Sequence, residues 1–195
     1  MKELPIRFSG PMVKAILDGS KTQTRRVVKQ DRDGLLDCKP TPAWDAFWQC
    51  VACPYGKPGD RLWVRETFGI DDEDGAVLYF ADPDTAQNAE HARICEDRYP
   101  RRRPSIHMPR WASRILLEIT DVRVERVQDI SEADAQAEGI EYSERFEGYC
   151  IGMAEHYHSH DPRLSYASWW ESINGPDSWA ANPWGWVIEF RRIEP

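Results

Sequence analysis

No stretch of the sequence approaches the ~18 consecutive apolar residues that a membrane-spanning helix requires, so a helical membrane protein is not expected. Met1-Lys2-Glu3-Leu4-Pro5 is not followed by the apolar core of a signal peptide. Cysteines number only 5, an odd count with no secretory leader, which points away from a disulfide framework and toward the reducing cytoplasm. Internal repeats and low-complexity tracts are lacking. Basic residues are outnumbered, 25 Lys and Arg against 33 Asp and Glu, and the net charge of -8 argues against a general polyanion binder.

The chain has 195 residues, 41% of them hydrophobic, with 9 Trp and 14 Pro. That length suits a single domain spanning 1–195 with insertions near 30–57, 82–112 and 141–182, and it buries a core without a metal or disulfide staple. Charge is unevenly placed. Lys14 to Arg32 holds six basic and two acidic residues, and Arg98 to Arg114 holds six Arg and no acid. Two basic stretches on an acidic protein suggest a directed anion site, unless neighbours such as Asp71, Asp72, Glu73 and Asp74 neutralise them.

Pro11 at a first helical position, the i,i+4 pairs Met12/Ile16 and Val13/Leu17, and Gly19 beyond the end predict a helix over 11–18. Strands are expected near 24–28, 60–68, 76–81, 115–127 and 184–192, the fourth with a bend at Thr120-Asp121. Ser131-Glu132-Ala133-Asp134 resembles a capping box and opens a helix over 131–138. Asp161-Pro162 is an N-cap and first position for a helix over 163–173 carrying Tyr166, Trp169, Trp170 and Ile173. Scattered short strands with few helices predict an α+β, mainly β chain. The expected form is a small barrel with peripheral helices and inserted loops.

Gly19-Ser20-Lys21-Thr22-Gln23-Thr24-Arg25-Arg26 is the most informative segment. A helix ends, a glycine turns the chain, and a cation and two hydroxyls enter a strand. Beside a substrate carbonyl, a lysine of lowered pKa accepts a proton from a threonine hydroxyl, which then attacks. In extended backbone Thr22, Thr24 and Arg26 share a face. The plainer alternative is a strand start with solvated Lys and Arg.

Gly-x-Lys-x-x-x-x-Arg after a helix resembles the signature of the ASCH domain, a relative of the PUA-like RNA-binding barrels. With Thr24 where the usual pattern has Glu, residues 21–26 are similar to those of the small bacterial N4-acetylcytidine amidohydrolases. Pro58-Gly59-Asp60-Arg61-Leu62-Trp63-Val64, Asp129 to Ile140 and Val187-Ile188-Glu189-Phe190 follow in the family's order. The resemblance implies a PUA-like barrel and a triad of Lys21 as proton acceptor, Thr24 as nucleophile and Glu138 as proton donor. The Trp- and Arg-rich insertions resemble those of larger phage and prophage ASCH-like proteins.

Glu138 falls in the last turn of a helix, where backbone carbonyls disfavour an anion. Glu66 shares an otherwise apolar strand face with Leu62, Val64 and Phe68. It is therefore either buried with a partner such as Arg26 or Arg65, or placed at the barrel mouth. Arg26, Arg65 and Glu66 are accordingly candidate substrate-binding residues. Trp63, Trp111, Trp184 and Trp186 flank basic residues in the manner of base-stacking platforms, although most tryptophans pack a core. Cys50-Val51-Ala52-Cys53, with Cys38, lacks a second ligand pair, and His156, His158 and His160 lack helical i,i+4 spacing, so no metal and no cofactor is expected. The expected partner is a modified nucleoside or single-stranded RNA, not a membrane. Three functions compete: a hydrolase of an N4-acylated cytidine-type nucleoside, a module that binds RNA or a modified base without catalysis, and an ASCH-type ribonuclease. Thr24 favours the first, because it brings a nucleophile to an acyl centre.

Overall fold

A computed structural model describes residues 1–28, 53–95, 100–151 and 159–193, with the backbone alone for 91–95. In chain order the elements are β1 (Glu3–Arg7), α1 (Gly10–Asp18), β2 (Gln23–Val27), β3 (Arg61–Arg65), β4 (Phe68–Ile70) and β5 (Val77–Tyr79). They continue as α2 (Pro83–Cys95), β6 (Leu116–Arg126), α3 (Glu132–Ala137), β7 (Glu141–Ser143), β8 (Gly148–Cys150), α4 (Pro162–Asn174) and β9 (Trp184–Ile193). The chain is thus α+β and strand-rich, as the sequence predicts.

Five strands form one sheet in the order β1-β3-β6-β9-β2. Only β1 and β3 run parallel; the other pairs are antiparallel. The expected barrel does not close by hydrogen bonding: β1 and β2 are the two edges of the sheet. The helix α1 joins these edges, burying Met12, Val13, Ala15 and Ile16. Side chains draw the edges together, since Arg26 Nη2 donates to the Arg7 carbonyl at 2.6 Å. Alternation along the strands sends Ile6, Leu62, Val64, Leu117, Ile119, Ile188 and Phe190 into one core.

The long strand β6 shifts register between Ile119 and Asp121, at the predicted bend. The predicted strand over 60–68 is instead two: β3 stops at Arg65, and Phe68 starts a hairpin by pairing with Tyr79. Phe68, Met108 and Ala112 make a small second core there. Gly19 adopts φ 84, the left-handed turn its position demands. Ser131 Oγ accepts from the Asp134 amide at 3.0 Å, and Asp161 caps α4 through the Arg163 amide at 2.8 Å. The strand β1 and the helix α2 are not foreseen. Pro5 obscures β1, but an edge strand tolerates a proline. The sequence of α2 has no apolar stripe to betray it.

Candidate active site

The turn after α1 carries Lys21 back under the end of α3. Its amide donates to the Ala15 carbonyl at 3.0 Å, and the Thr22 amide donates to the Ala137 carbonyl at 2.9 Å. Lys21 and Glu138 form an isolated antiparallel bridge. Gly139, at φ 95, permits the approach: a Cβ there would lie 3.1 Å from the Ala15 Cβ and 3.4 Å from the Lys21 Cβ.

This lacing buries Lys21, only 2% exposed. Its ammonium donates to the Glu138 carbonyl at 2.8 Å and to Glu138 Oε2 at 2.7 Å. One cation therefore satisfies a helix-end carbonyl and neutralises the carboxylate that the helix end alone would disfavour. Burial lowers the Lys21 pKa from its usual value, against the opposing pull of Glu138. Arg25 Nη1 stands 3.7 Å from Glu138 Oε1, while Arg25 Nη2 bonds Glu125 at 2.9 Å and Asp134 at 3.3 Å. Arg123 shares two of these carboxylates, bonding Glu125 and Asp134, and also bonds Glu189.

Glu138 and Thr24 line one cavity of about 320 Å³. Strand β2 supplies Thr24, Arg25 and Arg26, and α4 supplies an aromatic wall of Tyr166, Trp169 and Trp170. The size falls in the range of small-molecule pockets. Burial pushes the Tyr166 phenol well above its ordinary pKa, with Glu138 adding to the shift, so its hydroxyl stays protonated at neutral pH. Lys21 sits behind Glu138, and among the described residues both of its side-chain hydrogen bonds go to Glu138, none to Thr24. Thr22, the neighbouring hydroxyl, is exposed.

Arg26 lines the cavity and lies 5.1 Å from the Phe8 ring centre. Arg65 and Glu66 are elsewhere. Arg65 projects over Trp63 at 5.3 Å and bonds the Ile106 carbonyl. Glu66 is buried, and its partner is neither Arg26 nor Arg65 but Arg114, which binds it at 2.9 and 3.1 Å. Arg114 also grips Asp82 at 2.9 and 2.7 Å and covers the Tyr79 ring at 4.0 Å. Of the candidate stacking tryptophans, none lines the cavity: Trp111 is exposed, Trp184 lies under Arg126 and Trp186 is core. The residues that do wall it, Tyr166 and Trp170, were legible as an i,i+4 aromatic pair on α4. Arg25 carries no comparable signal.

Among the described residues no group of three or more His, Cys, Asp or Glu is placed to hold a metal. Cys38, Cys50, His156 and His158 lie outside the described residues. Among the described residues no helix is long and apolar enough to cross a membrane.

No protein-family model matches the chain. No curated protein matches it either. It is similar to a crystal structure of an ASCH domain from Lactobacillus crispatus JV V101, at 11% identity and a TM-score of 0.39, over 98% of this chain and 79% of that one. A likeness this loose gives no residue of this chain a role.

Proposed function

We propose that the protein hydrolyses the amide of an N4-acylated cytidine-type nucleoside, with Lys21, Thr24 and Glu138 as its reacting groups. The observation that carries this proposal is the buried Lys21–Glu138 pair, at 2.7 Å, standing behind a cavity that Glu138 and Thr24 both line. The substrate class comes from the resemblance of residues 21–26 to the N4-acetylcytidine amidohydrolases.

The reaction calls on Lys21 as the base and Glu138 as the acid, and burial lowers the Lys21 pKa toward the range a base requires. Lys21 then takes the Thr24 proton as Thr24 Oγ bonds to the acyl carbon. Glu138 gives its proton to the departing amino nitrogen as the C–N bond breaks, which leaves an acyl ester on Thr24. Water cleaves that ester, releasing the carboxylic acid and restoring the threonine. Arg26 and the Tyr166 hydroxyl supply donors to the base, and Trp170 an aromatic face.

Incubation with N4-acetylcytidine, followed by chromatography, is expected to yield cytidine and acetate. Thr24→Ala abolishes turnover, and Glu138→Gln lowers kcat more than it raises KM. Full activity in Thr24→Ala would overturn the nucleophile assignment and bring Thr22 forward. Binding of the nucleoside without turnover would leave a binding module, and cleavage of RNA under the same conditions would indicate a ribonuclease.

A further inference from the structure

Arg25 and Glu138 meet in the cavity wall with one nitrogen and one oxygen unused. The Arg25 side chain is 1% exposed, and Glu125 and Asp134 hold its Nη2 at 2.9 and 3.3 Å. Its Nη1 turns to Glu138 Oε1 but stops 3.7 Å away, beyond a hydrogen bond. Glu138 is anchored in turn by Lys21, which takes Oε2 and leaves Oε1. Among the described residues no group hydrogen-bonds Arg25 Nη1 or Glu138 Oε1, and both atoms are shielded from water.

Folding rarely leaves such atoms open, because each buried, unsatisfied polar group costs free energy. Here two of opposite kind lie together, on residues that line the same cavity. Arg26 Nε and Trp170 Nε1 are unpaired in that wall as well, but both are donors. Among the described residues Glu138 Oε1 is the wall's one buried, unpaired side-chain acceptor. A donor beside an acceptor is complemented by an acceptor beside a donor in one plane. Tyr166, Trp169 and Trp170 offer aromatic faces to a flat ring in the same cavity.

We infer that Arg25 is the specificity-determining residue of the cavity and that, with Glu138, it reads an amidine edge. A ring nitrogen of the ligand accepts from Arg25 Nη1, and the acylated amino N–H on the adjoining carbon donates to Glu138 Oε1. The ligand class is therefore the N-acylated heteroaromatic amines whose ring nitrogen adjoins the amine-bearing carbon. N4-acylcytidine belongs to that class, whereas anilides lack the ring nitrogen and leave Arg25 unpaired. The inference rests on the proposed amide hydrolysis for the acyl group but not on cytidine as the amine. It also gives Arg25 a part in that reaction. As the C–N bond breaks, its electron pair spreads from the departing nitrogen onto the ring nitrogen, where the guanidinium stabilises the charge. The contact at Oε1 keeps the Glu138 carboxyl beside the nitrogen it protonates.

The test uses 2-acetamidopyridine, which carries the edge without a nucleoside, against acetanilide, which lacks the ring nitrogen, and benzamide, which presents a primary amide instead. NMR titration reads the three affinities. The wild type is expected to bind 2-acetamidopyridine about tenfold or more tighter than acetanilide, as a hydrogen bond to a charged donor requires. The ratio should fall to roughly 1 in Arg25→Met, because the ring nitrogen then has no donor. That variant strands neither Glu125 nor Asp134, since Arg123 bonds both. If it nevertheless fails to fold, Arg25→Lys keeps the charge without the two-nitrogen fork and should lower the same ratio. The ring 15N signal of bound 2-acetamidopyridine should move upfield in the wild type and not in the variant. If N4-acetylcytidine is neither bound nor hydrolysed while the ratio holds, the cytidine reading falls and this inference stands. If N4-acetylcytidine is hydrolysed while the wild-type ratio is near 1, this inference falls and that reading stands. A ratio kept without Arg25, which would move the role to Arg26 or Trp170, also overturns it. Benzamide bound as tightly as 2-acetamidopyridine, or no binding of any of the three at millimolar concentration, does the same.

Discussion

Replacing Lys21 by Met removes an ammonium while keeping most of the side-chain stem, and the structure fixes what is stranded. Glu138 then retains Oε2 without its 2.7 Å partner and a helix-end carbonyl without its 2.8 Å donor, in side chains 0% and 3% exposed. Breaking one side of a buried ion pair costs about 3–5 kcal/mol. Arg25, 3.7 Å from Glu138 Oε1, still offsets part of the orphaned charge, which places the expected loss near 3 kcal/mol. That is a large share of the roughly 5–15 kcal/mol that holds a domain together, so urea unfolding resolves it easily. Lys21→Met/Glu138→Gln should be more stable than Lys21→Met alone, because the charge left behind is gone. The pH dependence follows from the lowered Lys21 pKa. Between that value and the unfolded one near 10.5, the unfolded chain binds more protons, so stability rises with pH across the window. Lys21→Met should lose this rise. A loss below about 1 kcal/mol in Lys21→Met, or strict additivity of the two substitutions, would refute the coupled-pair account.

Gly139→Ala should cost more than about 1 kcal/mol, since φ 95 strains any side chain and the new Cβ meets Ala15 at 3.1 Å. If its crowding displaces Lys21, turnover falls beyond what the measured stability explains. Arg114→Met should cost about 3 kcal/mol by stranding Glu66, itself 2% exposed, and thermal unfolding reads the loss. Limited proteolysis should then cut first within residues 76–112, where Arg114 ties β5 and Asp82 to β3's continuation; an unchanged cleavage pattern would refute that tie.

What the sequence made legible was local. Gly19 announces a turn because only a left-handed residue ends that helix cleanly, and Ser131 and Asp161 announce helix starts because their oxygens satisfy amides otherwise left open. The spacing of Lys21 and Thr24 within one turn and strand start was visible for the same reason. Closure of the sheet was not, because it depends on whether two edges separated by α1 come within hydrogen-bonding distance, and no local pattern encodes that separation. Here β1 and β2 are joined through the Arg26 side chain, which bonds the Arg7 carbonyl, instead of by a ladder.

The open edge changes the chemistry of the site. A closed barrel would have consumed the Arg7 carbonyl in a strand pair; in the open sheet that carbonyl accepts from Arg26 and so fixes a guanidinium in the cavity wall. Glu66 shows the opposite case. Its place on an apolar face correctly predicts a buried carboxylate in need of a cation, yet the cation comes from Arg114, 48 residues away, not from Arg65 next door. Alternation explains why. Arg65 must point away from the face that Glu66 occupies, so a partner had to arrive from another part of the chain. The same outward turn places Arg65 beside Arg7, and one geometric rule thus both denies Arg65 to the core and gives it to the outer face.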